Sequence, residues 1–534
     1  LEGDIRTYLH PRNEYGRTDD VTQSLAAITR EFTTALIERA GFWWVDFGPD
    51  NGGGWFDDPA LMERAAELQD VAERALEEPR AATAEVALVC DLESFYGFSD
   101  GHGMGIGYSL VESIGTELYH AGAPFDAIHL EQLAEADLDR YKMLIFLNTV
   151  MLDAEEAALT ERLREAGQHA MVFLWAPGLL TPEAVSAEQA EAVTGLDLTL
   201  VERWLPAQVD AVADDPLMAR LTPLLVHDLE VTREAAVNGF AELANWYNPR
   251  DAETMERWYT AYETEPLENG LRWTFDTGHS YTDIHWTAPE PFDPGDGLAM
   301  RISLTGDAPL LRYTFVIKDA NLSEFSAPEE VLVAGEPREH VYPLAAFTSA
   351  PWSRVAVEAP VLPLRGLKFV MHDTANVGRY VVEITNPRVL AGTLTTRGEA
   401  RYGAGAFAPA LLPAEGQGRL LARIAGTGDP AVVAAGAGTR LMLYSALPYL
   451  PREVLAAVMD EAGVHRYLDE GADVLRADER FVALHTAEGG RRTLRLPREA
   501  LVTNALTGER LGGGSTTTLD LEPNSTLLME LTDR

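Results

Sequence analysis

The sequence predicts a chain of mixed α/β and all-β parts, and three observations predict it. Residues 85–176 alternate strand-like apolar runs with helical stretches, the pattern of a parallel sheet covered on both faces. Residues 266–390 lose the helical period and break into short strands separated by Gly, Pro, Asp and Asn. At 431–463 the first pattern resumes, so the β-rich stretch reads as an insertion. A length of 534 residues fits about three to five such units.

Taken in order, residues 19–40 read as a helix, with Leu25, Ile28, Phe32 and Leu36 on one stripe and Asp19, Asp20 or Thr22 at its start. The run FWWVDF follows as a short strand, and residues 58–80 form a second helix. Residues 1–80 are therefore two βα units, whose two parallel strands leave open edges and need more sheet. In the next unit the strands are EVALVCD, PFDAIHL, KMLIFLN and AMVFLWA, with AVVAAG and RLMLYSA continuing the pattern after the insertion. Within the insertion, LRWTFDTG, YTDIHWTA, LAMRISLTG, LLRYTFVIKD, REHVYPL, LKFVMHD and RYVVEITN are the strands of a β-sandwich. The last stretch, 471–534, reads as a small antiparallel domain.

Composition narrows the function. The net charge is −42, from 84 acidic and 42 basic residues, which makes nucleic acid a poor partner. Lys142, Lys318 and Lys368 are the only lysines. No apolar run is long enough to cross a bilayer, so no membrane partner is implied. Cys90 is the only cysteine, which excludes disulfides within the chain and thiolate metal clusters. It ends a strand without the sharp Gly-flanked turn of a nucleophile, and reads as core. GHGMGIG at 101–107 contains a GxGxxG-like run but lacks the ribose-binding carboxylate of a dinucleotide site, so no cofactor is expected. The compartment is left open by the sequence.

Two groups of residues carry chemistry. In DTGHSYTDIHW, His279, Tyr281, Asp283 and His285 alternate and would share one face of a strand, able to hold metal or sugar. Trp273, Trp286 and Trp352 read as core before they read as sugar platforms. Near the start, Glu2 and Asp4 close the first strand and Asp46 closes the next. Carboxylates at the C-terminal ends of barrel strands are what two-carboxylate glycoside hydrolysis uses. Trp43, Trp44, Phe47, Trp55 and Phe56 add aromatic surfaces on which sugar rings can stack.

LEGDIRTYL, ITREFTTAL, GFWWVDFG and GWFDDP together resemble the last quarter of the catalytic (β/α)8 barrel of family 42 β-galactosidases. AEVALVCDLES, AGAPFDAIHLEQL, YKMLIFLNTVML and FLWAPGLL resemble that family's second, flavodoxin-like domain, which packs subunits into trimers. RYGAGAFAPALL, YSALPYLPREVL, EAGVHRYLDEGADVL and FVALHTAEGGRRTLRLP resemble the end of that domain and the C-terminal β-domain. The resemblance implies strands seven and eight of a barrel at 1–80, a flavodoxin-like trimerisation domain at 81–265 and 391–470, and a β-domain at 471–534. The 266–390 insertion departs from the family and looks like a jelly-roll carbohydrate-binding module. The resemblance further implies that Glu2 is the nucleophile of a retaining glycoside hydrolase. Asp4, Arg6, Asp46 and Trp55 would be substrate-binding neighbours, acting on β-galactosides or related β-glycosides. The acid/base glutamate of the family has no counterpart here, so a missing N-terminal barrel segment or a second chain is the expected partner, alongside a carbohydrate substrate and a homotrimer. A non-catalytic carbohydrate-binding or assembly protein, and an unrelated α/β transferase or amidotransferase, stay open as alternatives.

Overall fold

The computed structural model describes residues 1–10, 16–46, 55–97, 106–247, 259–277, 281–307, 310–335, 337–350, 352, 357–372 and 379–533. In the N-terminal unit the order is β1 (Glu2–Gly3), α1 (Val21–Ile37), β2 (Trp43–Trp44) and α2 (Pro59–Leu76). Asp20 caps α1 by accepting from the Gln23 N–H, and Asp58 caps α2 ahead of Pro59, which suits the first helical turn because it has no N–H to satisfy. β1 and β2 pair in parallel, Glu2 beside Trp43 and Gly3 beside Trp44. Among the described residues this sheet has two strands, so the barrel itself is not seen. The apolar stripe of α1, with Ile28, Phe32 and Leu36, instead joins Phe481, Ala483, Ala505 and Leu528 of the C-terminal sheet in one core. Sequence periodicity gave the stripe but could not say what would cover it.

In the α/β domain, parallel strands stand in the order Phe125–His129, Val86–Cys90, Met143–Phe146, Ala170–Leu174 and Met442–Ser445. Numbered by chain position this is 2-1-3-4-5, the flavodoxin-like order. The helix Ala154–Ala166 shows why these segments stop and start where they do. Asp153 and Glu156 form a reciprocal capping box, and Gly167 ends the helix at φ 62°, where a side chain is strained. The run AVVAAG corrects the expected pattern. Its strand, Pro430–Ala435, is antiparallel to Met442–Ser445. The few residues between them allow a hairpin but not the crossover that a parallel neighbour needs. Arg419–Ile424, Val209–Ala211 and Arg401–Tyr402 extend that antiparallel edge.

Between the fourth and fifth parallel strands lies the sandwich. One sheet runs Tyr259–Leu267, Gly270–Thr277, Arg379–Glu399, Gly297–Gly306 and Arg338–Pro343. The other runs Trp246–Tyr247, Tyr281–Phe292, Leu364–His372, Leu310–Lys318, Glu324–Ser326 and Thr348–Ser349, with Glu330–Val333 beside Leu310–Lys318. Trp273, Phe275, Trp286, Phe315, Phe369 and Tyr380 fill the space between them. Strand pairing begins well before residue 266, because Leu224–Ala236 runs antiparallel along the second half of Arg379–Glu399. That ribbon is exposed on both faces, so its sequence has no buried alternation to reveal it. The C-terminal domain is one antiparallel sheet in the order Val474–Ala477, Phe481–Thr486, Ser525–Thr532, Gly490–Asn504 and Arg510–Leu521.

One buried ion pair ties the N-terminal unit to the C-terminal sheet. Arg80 meets Asp478, donates to the Leu36 carbonyl at 2.8 Å and lies over the Phe481 ring. Burial pushes the Arg80 guanidinium down and the Asp478 carboxyl up even though each faces the other, so desolvation offsets much of their attraction. Removing one partner strands the other. Arg80→Ala should cost about 3–5 kcal/mol in the denaturant transition of this region. Arg491→Ala, which breaks a surface pair, should be nearly silent. Equal effects for the two variants would refute this account.

Candidate functional site

The strand ends of the N-terminal unit place the predicted residues in three separate settings. Glu2 is exposed, next to the exposed indole of Trp43 in the adjacent strand. Gly3 faces the other way, where an added Cβ would lie 2.6 Å from the Phe42 ring. The side of β1 that packs is therefore closed to any larger residue, and Glu2 is held on the open side. Asp4 and Arg6 form a loose pair at 3.9 Å. They line a polar cleft of about 260 Å³ with Gln23, Arg30, Glu31 and His485, and Glu2 is not among its lining residues. Asp46 does something different again. Its Oδ2 accepts from the Trp55 N–H at 3.1 Å, and the Trp55 carbonyl accepts from the Thr7 hydroxyl. The Trp55 ring lies 4.0 Å from that of His10. Asp46 and Trp55 thus fasten the loop after β2 to the loop after β1. Of the other aromatic residues, Trp44 and Phe56 belong to the core, and Phe47 lies outside the described residues.

A second cluster lies on the outward face of the seven-stranded sheet, where Asp283 and His285 alternate with the core residues Ile284 and Trp286. The register sets His285 beside Lys368, and Lys318 beside Gly366. A Cβ on Gly366 would fall 2.5 Å from the Trp286 carbonyl, so the backbones of the two strands approach closely beside the point where Lys318 reaches across to His285. The Lys318 Nζ donates to the His285 Nδ1 at 2.7 Å, and the His285 Nε2 faces Asp283 at 3.2 Å. An ammonium has only donors and a carboxylate only acceptors, so the proton of a neutral imidazole sits on Nε2. Lys368 lies 3.1 Å from Glu324 and 3.6 Å from Asp283. The Trp352 indole donates to Glu324 at 2.6 Å.

Electrostatics follows from this geometry. Burial lowers the His285 pKa, Asp283 works against that, and Lys318 adds to it. Burial also acts on Glu324, but the Lys368 ammonium and the Trp352 indole hold its carboxyl below the usual range. The arrangement speaks against a metal, because the one free lone pair of His285 is taken by a cation. Among the described residues no group of three or more His, Cys, Asp or Glu side chains could hold a metal ion. His279 lies outside the described residues, as do 101–105 of the glycine-rich run. Trp273 and Trp286 are core, as expected, whereas Trp352 is exposed. Cys90 is partly buried, and burial followed by the Asp91 charge pushes its thiol up to about 11, far from a thiolate nucleophile. Sequence reasoning missed Lys318, Lys368, Glu324 and Tyr247 as members of the second cluster. The available signal was the rarity of lysine, since two of the chain's three lysines meet here.

No protein-family model and no curated sequence matches the chain. Solved structures similar to it include a β-galactosidase from Rahnella sp. R3, at 12% identity and TM-score 0.41, over 97% of this chain and 52% of that one. A catalytic mutant of a GH42 β-galactosidase from G. stearothermophilus is similar at 11% identity and TM-score 0.36, over 95% and 50%. A family 11 carbohydrate-binding module from Clostridium thermocellum, solved with a β-1,3-1,4-mixed-linked tetrasaccharide, is similar at 13% identity and TM-score 0.23, over 30% and 96%. The chain spans about half the length of the two β-galactosidases.

The buried His285 and the half-buried His372 of the sandwich make a testable statement about pH. His285 and His372 both have pKa values lowered, first of all by burial, from an ordinary value of 6.5. The unfolded chain therefore binds more protons than the folded one below that value, and stability falls with falling pH. The thermal transition of the sandwich should hold steady above about pH 7 and drop progressively below about 6.5. His285→Gln should flatten part of that drop. A transition that rises on acidification would show that the imidazoles are charged in the folded state.

Proposed function

We propose that this chain is the C-terminal part of a retaining glycoside hydrolase acting on β-galactosides or related β-glycosides, with Glu2 as its nucleophile. The supporting observation is the position of Glu2. It projects from the open side of a parallel strand pair, at the end where the βα loop begins, beside an exposed tryptophan. That is where barrel enzymes carry their chemistry. A retaining mechanism needs a second carboxyl about 5–5.5 Å away as acid/base. On this reading it comes from further βα units outside these 534 residues. Glu2 attacks the anomeric carbon as the second carboxylic acid protonates the departing oxygen. A covalent glycosyl-enzyme forms, and water then releases the sugar with the second group acting as base. Asp4 and Arg6 are assigned to binding sugar hydroxyls near the reacting ring, and Asp46 to holding Trp55 in place. A homotrimer built through the α/β domain belongs to the same proposal. The alternative, a non-catalytic carbohydrate-binding protein, is favoured by the aromatic, charged face of the sandwich.

In the complete enzyme, Glu2→Gln should lower turnover by several orders of magnitude with little change in melting temperature. Azide should restore turnover to Glu2→Ala, giving the inverted glycosyl azide from an activated β-aryl glycoside, but not to Glu2→Gln, whose amide fills the space. Asp4→Asn should lose activity without azide rescue, and rescue there instead would move the nucleophile to Asp4. Asp46→Asn should be mild, because the amide oxygen can still accept from Trp55. An active Glu2→Ala would end the assignment. For assembly, light scattering at micromolar concentration should return three times the chain mass, and a monomer would remove the trimer from the proposal.

A further inference from the structure

Side chains that point outward from a sandwich sheet normally meet water. On the sheet containing Tyr281–Phe292, Leu364–His372 and Leu310–Lys318 they do not. Asp283 and His285 are each only 6% exposed, and Lys368 9%. Four charged groups and one imidazole are thus held in a fixed, nearly dry array, which costs desolvation and returns rigidity. The two exposed members are aromatic. Tyr247 lies 5.2 Å from the His285 ring with the Lys318 ammonium 5.8 Å from its own centroid. Trp352 has the Lys368 ammonium 5.2 Å from its centroid. They sit toward opposite edges of the sheet. Trp246–Tyr247 is one edge strand, and Trp352 reaches Glu324, four strands away in the order of the sheet. Above the sheet the two rings converge, because Lys318, whose ammonium faces Tyr247, lies 3.7 Å from the Glu324 carboxylate that accepts from Trp352, so both aromatic platforms border one charged cluster.

We propose that this face binds a neutral glycan chain, with Trp352 and Tyr247 as stacking platforms and the partly exposed Glu324 and Lys318 as hydroxyl-binding groups, held in place by the buried Asp283, His285 and Lys368. Sugar rings offer apolar C–H faces to an aromatic ring, and hydroxyls that both donate and accept. Rings at the ends with paired carboxylates and ammoniums between them match both features. The array also selects against charge. Its two ammoniums are matched by two carboxylates, its imidazole is neutral, and the chain carries a net charge of −42. A uronate or sulfated glycan would find each cation already engaged. Because the array is held by its own contacts, little ordering cost is left for the ligand to meet. The inference deepens the carbohydrate-handling reading above, but it stands on residues distinct from Glu2.

The test is native electrophoresis of the full 534-residue chain in gels cast with β-1,4-galactan, mixed-linkage β-glucan or, as the charged control, polygalacturonate. At least one neutral polymer should retard the chain, and polygalacturonate should not. Trp352→Ala and Tyr247→Ala should each weaken the retardation about tenfold, while Trp352→Phe keeps part of it. Calorimetry on the same variants should show an unchanged sandwich transition, which separates lost binding from lost folding. Glu2→Gln should leave retardation intact, so a failure of Glu2 chemistry and a failure of this site are read independently. The proposal is overturned if neither neutral polymer retards the chain. It is equally overturned if both alanine variants retain full retardation, or if polygalacturonate retards as strongly as the neutral polymers.

Discussion

The parallel pairing of Met442–Ser445 with Ala170–Leu174 is the constraint on which the rest of the architecture depends. It completes a five-stranded parallel sheet using a strand that the chain reaches only after building the whole sandwich. Parallel strands are joined by crossovers, and here the crossover contains a domain. For the sheet to close, the chain must leave and re-enter at nearly the same place. The antiparallel ribbon of Leu224–Ala236 with Arg379–Glu399 achieves this by holding the outgoing and returning segments side by side. Gly392 lies in that ribbon where a Cβ would come within 2.2 Å of the Glu230 carbonyl, so close approach is built into the sequence at the neck of the insertion.

The two ends of the molecule share a core in a similar way. Helix α1 has its apolar stripe on Phe481, Ala483 and Leu528, and the Thr526 hydroxyl donates to the Ala26 carbonyl at 2.7 Å. Arg74 and Arg80 reach from α2 and the segment after it to the Ala505 carbonyl and to Asp478. The strand that carries Glu2 and the strand that leads to Asp46 are only two residues long, and their position is set by this packing more than by their own hydrogen bonds. The geometry of the candidate catalytic end is thus a property of the C-terminal domain as much as of the first eighty residues.

The sandwich shows the opposite economy. Its interior is aromatic and unremarkable in chemistry, while its outer face carries buried charge. Lysine suits that array better than the arginine used almost everywhere else in the chain. A compact ammonium can donate to one imidazole nitrogen and sit between two carboxylates, whereas a planar guanidinium needs a fork of acceptors. The neutral imidazole of His285 then links Lys318 to Asp283.

Much of this was legible in the sequence for local reasons. EVALVCD, PFDAIHL, KMLIFLN and AMVFLWA are strands because continuous apolar runs between capped helices leave little else to form, and the spacing of Ile28, Phe32 and Leu36 fixes one buried stripe on α1. Alternation in DTGHSYTDIHW put Asp283 and His285 on one face correctly. The sequence by itself therefore determined those strands and helices that bury a face, and which side chains share it, since both depend on periods of two or 3.6 residues along one chain, whereas the exposed strand Leu224–Ala236 left no such trace. Only the tertiary structure decided what each face meets. It set Lys318 on His285 across a glycine, put Trp352 outside the core that holds Trp273 and Trp286, placed Asp4 and Arg6 on a cleft whose lining does not include Glu2, and turned Asp46 toward Trp55. Those outcomes depend on register between strands distant in sequence and on close approach of backbones, and neither leaves a periodic trace in the residues themselves.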